Sequence, residues 1–181
     1  ELTRLIKRIN TNIYELAAAE SSHAGMGTTL TAAVIRSGNV ILAHVGDSRA
    51  YLWRAGSLIQ LTEDHSLVGE MVRSGQISSA EAEEHPQRSI ITRALGVDPQ
   101  IEVDTRTLKW EPGDIFLLCS DGLYSMVHDA AIARILAQDG TLDSSAATLV
   151  KAANEAGGRD NISVIVFCPD GSVPAEIEMV P

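Results

Sequence analysis

TLTAAVIRSGNVILAHVGDSRAYLWRAGSLIQLT, residues 29–62, decides the fold class. TLTAAVIR (29–36) reads as a buried strand. VILAHVG (40–46), SRAYLWR (48–54) and SLIQLT (57–62) read as the next three. Ser37-Gly38-Asn39 and Ala55-Gly56 are hairpin-turn sequences. Short strands in succession with tight turns predict an antiparallel meander.

Upstream, Leu2, Leu5, Ile6, Ile9, Ile13 and Leu16 recur mostly at three- and four-residue spacings, which predicts an amphipathic helix over 2–19. Gly25 and Gly27 break that pattern. Downstream, 63–88 turns polar and carries two short helical patterns, SLVGEMVRSG and SSAEAEEH. In the second, Ser78 and Glu81 match a capping box. This reads as an excursion from the sheet. Strands resume with IEVDTRTL (101–108) and, after the turn Glu111-Pro112-Gly113, with DIFLLCS (114–120). Helices are predicted over 128–138 and 143–156, the second ended by Gly157-Gly158. ISVIVFC (162–168) is the last strand, and 169–181 is a tail. Strands in runs and helices in blocks indicate α+β with antiparallel sheets, organised as a single domain over 1–181. Several strands are apolar along their whole length. That fits coverage on both faces, hence two stacked sheets with helices outside.

The 181 residues hold 14 Lys plus Arg and 24 Asp plus Glu, a net charge of −10. This balance argues against nucleic acid and against an anionic membrane surface as partners. No run approaches the roughly 18 apolar residues of a spanning helix. Cys119 and Cys168 lie in apolar runs and read as buried thiols. With no leader in view, the sequence reads as a cytoplasmic, reduced protein. Asn161-Ile162-Ser163 matches a glycosylation triplet, which carries little weight in that setting.

Three acidic residues sit where apolar strands meet Gly-containing turns: Asp47 in HVGDSR, Asp121 in LLCSDG and Asp160 in GGRDN. Carboxylates held by rigid elements suit hard cations such as Mg²⁺ and Mn²⁺. Asp also caps turns and strand ends with no further role, and spacing alone does not bring the three together. Other templates fail. There is no GK[ST] after the Gly-rich 25–29, and GxGxxG is broken by Leu30. GDSRA ends in Ala50 where a nucleophile elbow needs Gly, and strand patterning follows Ser48. His23, His44, His65, His85 and His128 form no HxH or HxxxH set and read as surface or satisfied histidines.

AGMGTTLTAAVI, ILAHVGDSRAYLWR, LTEDHSLV, ITRALG, GDIFLLCSDGLYSMV and GGRDNISVIV occur in that order. Together they resemble the metal-dependent protein phosphatases, the type 2C serine/threonine phosphatases in their bacterial form, from about residue 2 to 168. The resemblance implies an αββα sandwich and a binuclear Mn²⁺ or Mg²⁺ centre with a third, weaker metal position. It assigns Asp121 and Asp160 to one ion and Asp47, together with Asp121, to the weaker position, with Asn161 orienting the site. It implies a metal-activated water that hydrolyses phosphoserine and phosphothreonine in targets of cytoplasmic protein kinases. Residues 63–88 match the variable flap beside that active site, implying either substrate selection or a solvated lid.

The family pattern begins with strands carrying an Arg, an acidic pair, an Asp-Gly loop and a nearby His. None of these stands before the helix at 2–19. The expected domain is therefore incomplete at its N-terminus, and no catalytic residue beyond the metal ligands is identified. Weakened metal binding, low activity and exposed sheet edges prone to association are expected. The rival reading is a non-catalytic, phosphatase-like binding or regulatory module.

Overall fold

The computed structural model describes residues 1–170. In chain order the elements are α1 (Leu2–Ala19), a 3-10 turn (Ser21–His23), β1 (Leu30–Arg36), β2 (Asn39–Val45), β3 (Arg49–Arg54) and β4 (Ser57–Gln60). Then come α2 (Leu67–Arg73), α3 (Ser79–Glu84), β5 (Asp104–Lys109), β6 (Ile115–Cys119), α4 (Asp121–Tyr124), α5 (Asp129–Leu136), α6 (Leu142–Glu155) and β7 (Val164–Phe167). The strands form two sheets, ordered β1-β2-β5 and β4-β3-β6-β7. Pairings β1–β2, β2–β5 and β6–β7 are antiparallel, and the architecture is α+β as expected. The tail expected over 169–181 lies, from residue 171 on, outside the described residues.

The continuous meander expected over 29–62 is corrected to two hairpins in two different sheets. Ser37 and Gly38 (φ 50° and 75°) close β1 onto β2. Ala55 and Gly56 (φ 50° and 84°) close β3 onto β4. Two successive residues at positive φ suit the twist of a two-residue hairpin. Between the hairpins β2 and β3 do not pair, because a strand has only two edges and both edges of β2 are taken. Leu42 lies opposite Ala33 of β1 and Arg106 of β5.

Whole-length apolar character also overstates burial. It holds for the central strands β2 and β6, each with four or more buried residues. It fails at the sheet-end strands β1 and β7, where Val34 is 40% exposed, Ile35 49% and Ile165 60%. The final strand is shorter than the apolar run that predicts it, and β5 begins only at Asp104.

The chain divides into two compact units. The first holds Glu1–Ala50 and Gln60–Lys109. There Ile6 of α1 packs with Ala43 and Val45 of β2 and with Leu95 and Ile101. Burying a side chain the size of Ile6 contributes about 1.5–3 kcal/mol. Buried Asn10 donates to the Asp98 carbonyl (2.9 Å) and accepts from the Gly96 N–H (2.8 Å), tying α1 to the loop after Arg93. The excursion forms α2 and α3. Ser66 caps α2, and Ser78 and Glu81 complete the capping box of α3.

The second unit holds Tyr51–Ile59 and the chain from Trp110 onward. Its core gathers Tyr51, Leu117, Leu123, Ile132 and Leu149. Thr141 caps α6 by accepting from Ser144 N–H. Gly157 and Gly158, both at positive φ, end it, and Gly158 N–H reaches back to the Ala153 carbonyl. Cys119 is buried and Cys168 half-buried, with no disulfide between them.

Candidate metal centre

In the second unit, β6 runs into Ser120 and α4 starts at once with Asp121. The loop after α6 brings Asp160 and Asn161 against this junction. Ser120 N–H donates to Ser163 O (3.1 Å), and Ser163 N–H donates to Ser120 Oγ (3.0 Å). Ser120 Oγ–H donates to the Asn161 carbonyl (2.9 Å). Gly122 completes the interlock. A Cβ there would stand 2.4 Å from the Asn161 carbonyl oxygen, so the close approach requires the bare glycine. The SDG and RDN stretches are thus held together by main chain and one serine hydroxyl.

Two predicted ligands meet here. Asp121 is half-buried and Asp160 exposed. Burial first, and the neighbouring negative charge of Asp160 second, push the Asp121 carboxyl above its ordinary range. The N–H groups of Gly122 and of Asp121 itself pull the other way. Asp160 accepts from the Asn161 N–H at 2.7 Å. Asn161 therefore contributes through its main chain, donating to Asp160 and accepting from Ser120.

A half-buried carboxylate facing a second negative charge fits a cation, and an all-oxygen pair fits Mg²⁺ or Mn²⁺. Among the described residues, no three His, Cys, Asp or Glu side chains gather as a metal-holding group. The pair thus matches an ion of the kind held by one or two carboxylates and otherwise by water.

Asp47 belongs to the first unit, in the bend after β2, and is 8% exposed. Gly46 before it has φ +112°, and its Cα faces Thr29 so closely that a Cβ would lie 2.3 Å from Thr29 Cγ2. Ser48 after it bonds Thr29 through paired hydroxyls (3.0 Å) and accepts at its carbonyl from Thr31 Oγ1 (2.8 Å).

The same unit contains a histidine pair that spacing did not reveal. His44 and His65 are both buried, with ring centroids 4.8 Å apart. His44 contacts Thr31 Oγ1 (2.9 Å) and the Glu63 carbonyl (3.1 Å). Burial, followed by the adjacent His65, lowers its pKa to about 4. Beside them, burial alone would raise the Asp104 carboxyl. Hydrogen bonds from His65 and Arg93 outweigh it and hold Asp104 below the ordinary range. The available sequence sign was His44 itself, a polar residue inside the apolar run VILAHVG.

The family pattern described as Protein phosphatase 2C matches residues 1–163. The chain belongs to the protein phosphatase 2C family. It is 45% identical over 165 residues to the serine/threonine phosphatase stp of Listeria innocua, covering 91% of this chain and 66% of that one. It superposes on the crystal structure of the serine/threonine phosphatase Stp1 from Staphylococcus aureus with a TM-score of 0.89 and 38% identity. That match covers 91% of this chain and 65% of the other. The catalytic domain of the serine/threonine protein phosphatase PstP, solved in complex with two manganese ions, matches with a TM-score of 0.83 and 37% identity. Coverage there is 91% of this chain and 68% of that one. The chain thus spans about 66% of the length of its Listeria relative. Among the described residues, no helix is long and apolar enough to cross a membrane.

Proposed function

We propose that this protein is a metal-dependent protein serine/threonine phosphatase acting on phosphoserine and phosphothreonine, with cytoplasmic kinase targets as its substrates. The observation that carries the reading is the interlock of Ser120–Gly122 with Asp160–Ser163, which sets two carboxylates side by side. Asp121 and Asp160 hold one divalent cation, and Asp47 serves a further, weaker position. Manganese is the first metal to test, since PstP, a related phosphatase, was solved with two manganese ions. A divalent ion in such a site lowers the pKa of a bound water and offsets charge on the phosphoryl group. The chain's own residues keep that site rigid. Ser120, Gly122 and Asn161 fix the two acids through short main-chain links, so little reorganisation accompanies metal binding. The half-burial of Asp121 strengthens its attraction for the cation.

The test is hydrolysis of a phosphoserine peptide with added Mn²⁺. It compares the 181-residue chain, the same chain preceded by the Asp-Gly strands of the family pattern, and each with Asp121→Ala. Mn²⁺ binding is followed in parallel by electron paramagnetic resonance. Second-sphere substitutions at metal sites cost roughly 10–100-fold, so loss of a direct ligand should cost at least about 100-fold in activity and weaken Mn²⁺ binding. If the extended chain is inert with every divalent metal, the reading fails and the binding-module alternative takes its place.

A further inference from the structure

We propose that His65 is a positioning residue for Asp47, acting through the Gly46 peptide, with Asp104 and Arg93 fixing its ring. The inference rests on the reading of Asp47 as a cation ligand.

His65 satisfies both polar groups of Gly46. Its Nδ1 accepts the Gly46 N–H at 3.0 Å, and its own N–H donates to the Gly46 carbonyl at 2.8 Å. Gly46 adopts a positive φ (+112°) and packs so closely on Thr29 that no side chain fits there. The next residue is the buried Asp47. A histidine nitrogen that accepts a main-chain N–H carries no proton, so in the neutral ring the proton resides on Nε2. Nε2 lies 3.1 Å from Asp104 Oδ2. Arg93 Nη1 donates to Asp104 Oδ1 at 2.8 Å and stands 3.0 Å from Nε2. His65 Nε2–H and Arg93 Nη1–H both donate to the Asp104 carboxylate, which holds the two donors together. His44 packs on the ring's face and, with a pKa of about 4, presents no cation there at neutral pH. Arg93, Asp104, His65 and Gly46 thus form one chain of contacts ending at the main chain of Asp47. Groups of this kind behind metal ligands are worth roughly 10–100-fold in affinity.

The two ring nitrogens are separable by substitution. His65→Asn keeps an acceptor near Nδ1, whereas His65→Gln places its amide near Nε2 and loses the bond to Gly46. The readouts are Mn²⁺ affinity by calorimetry on the folded protein and the Gly46 amide resonance by ¹⁵N NMR, with Asp47→Asn alongside. His65→Gln and Asp47→Asn should each weaken the weaker Mn²⁺ binding event by about 10-fold or more, and His65→Gln should shift the Gly46 amide. His65→Asn should restore both to near the parent. If Asp47→Asn weakens Mn²⁺ but His65→Gln leaves it unchanged, the positioning role is overturned and the metal reading stands. If Asp47→Asn leaves Mn²⁺ binding unchanged, the metal reading of Asp47 falls and this inference falls with it. Equal loss in the Asn and Gln variants would mean that His65 serves stability alone, and overturns the proposal.

Discussion

The two acidic turns of this chain are built on opposite plans. Asp121 and Asp160 are held largely by main chain: four peptide groups, one serine hydroxyl that bridges them, and a glycine that permits contact. Asp47 is held by side chains: His65, Thr29 and Thr31 surround the bend on which it sits. The first plan keeps its geometry as long as the backbone is undisturbed and leaves the acids open to solvent and ligand. The second buries its acid and makes its geometry depend on the identity of neighbouring side chains. Carboxylates of the two regions also titrate in opposite directions. Asp121 is raised by burial and by Asp160, while Asp104 is lowered because hydrogen bonds from His65 and Arg93 outweigh burial.

The largest expected effect comes from a single methyl group at each turn. Gly46→Ala combines a left-handed backbone with a clash on Thr29, and should cost roughly 2–5 kcal/mol. Gly122→Ala meets the Asn161 carbonyl and should cost about 1–3 kcal/mol, with loss of the strong Mn²⁺ binding. Urea denaturation with and without Mn²⁺ checks both. A Gly122→Ala protein that binds Mn²⁺ normally would break the view that main-chain contact sets the Asp121–Asp160 pair.

A smaller effect follows from the raised Asp121 carboxyl. A group whose folded pKa lies above its unfolded value favours the folded state when protonated. That contribution is lost as pH rises from the ordinary Asp range through the raised value. At neutral pH the metal-free protein therefore carries a penalty, and Asp121→Asn should remove it. The expected gain is below about 1 kcal/mol, because the site is partly solvated. The same variant should abolish most of the Mn²⁺-induced stabilisation, which for an intact site reaches about 2.7 kcal/mol at a hundredfold excess over Kd. Thermal melts at pH 7, with metal and with chelator, decide the point. Asp104 follows the reverse sign: its stabilisation is present above the ordinary Asp range and is lost as pH falls through its lowered value.

The smallest effect on Mn²⁺ binding lies outside both turns. Thr141→Ala removes the cap of α6 and should cost about 1 kcal/mol. Mn²⁺ affinity should stay at the parent value, measured by the same calorimetry. A loss of metal binding here would blur the distinction between a local carboxylate pair and the general stability of its unit.

Much of the secondary structure was legible in the chain. α1 follows the 3.6-residue apolar period from Leu2 to Ala19, and the Ser78–Glu81 capping box forms as written. The Ser37-Gly38 and Ala55-Gly56 turns close hairpins because neighbouring residues alone set their backbone preference. The jump from β2 to β3 was not legible, since VGDSR looks like another turn and only the competition of β5 for the edge of β2 excludes it. Nor were the exposed faces of β1 and β7, because an apolar run does not say whether a strand lies inside or at the end of a sheet.

The site divides in the same way. Asp47, Asp121 and Asp160 stand out in the sequence as acids at strand ends, and the ordered motifs by themselves point to the family. Residue types, local periods and turn dipeptides are properties of neighbouring residues, and the sequence by itself determined them. Tertiary structure alone decided that Ser120 and Gly122 would lock onto Asn161 and Ser163 and set Asp160 beside Asp121. It alone decided that His65 would close on Gly46. These contacts join residues far apart in the chain, and their energies depend on burial and approach distances that exist only once the strands have chosen their neighbours.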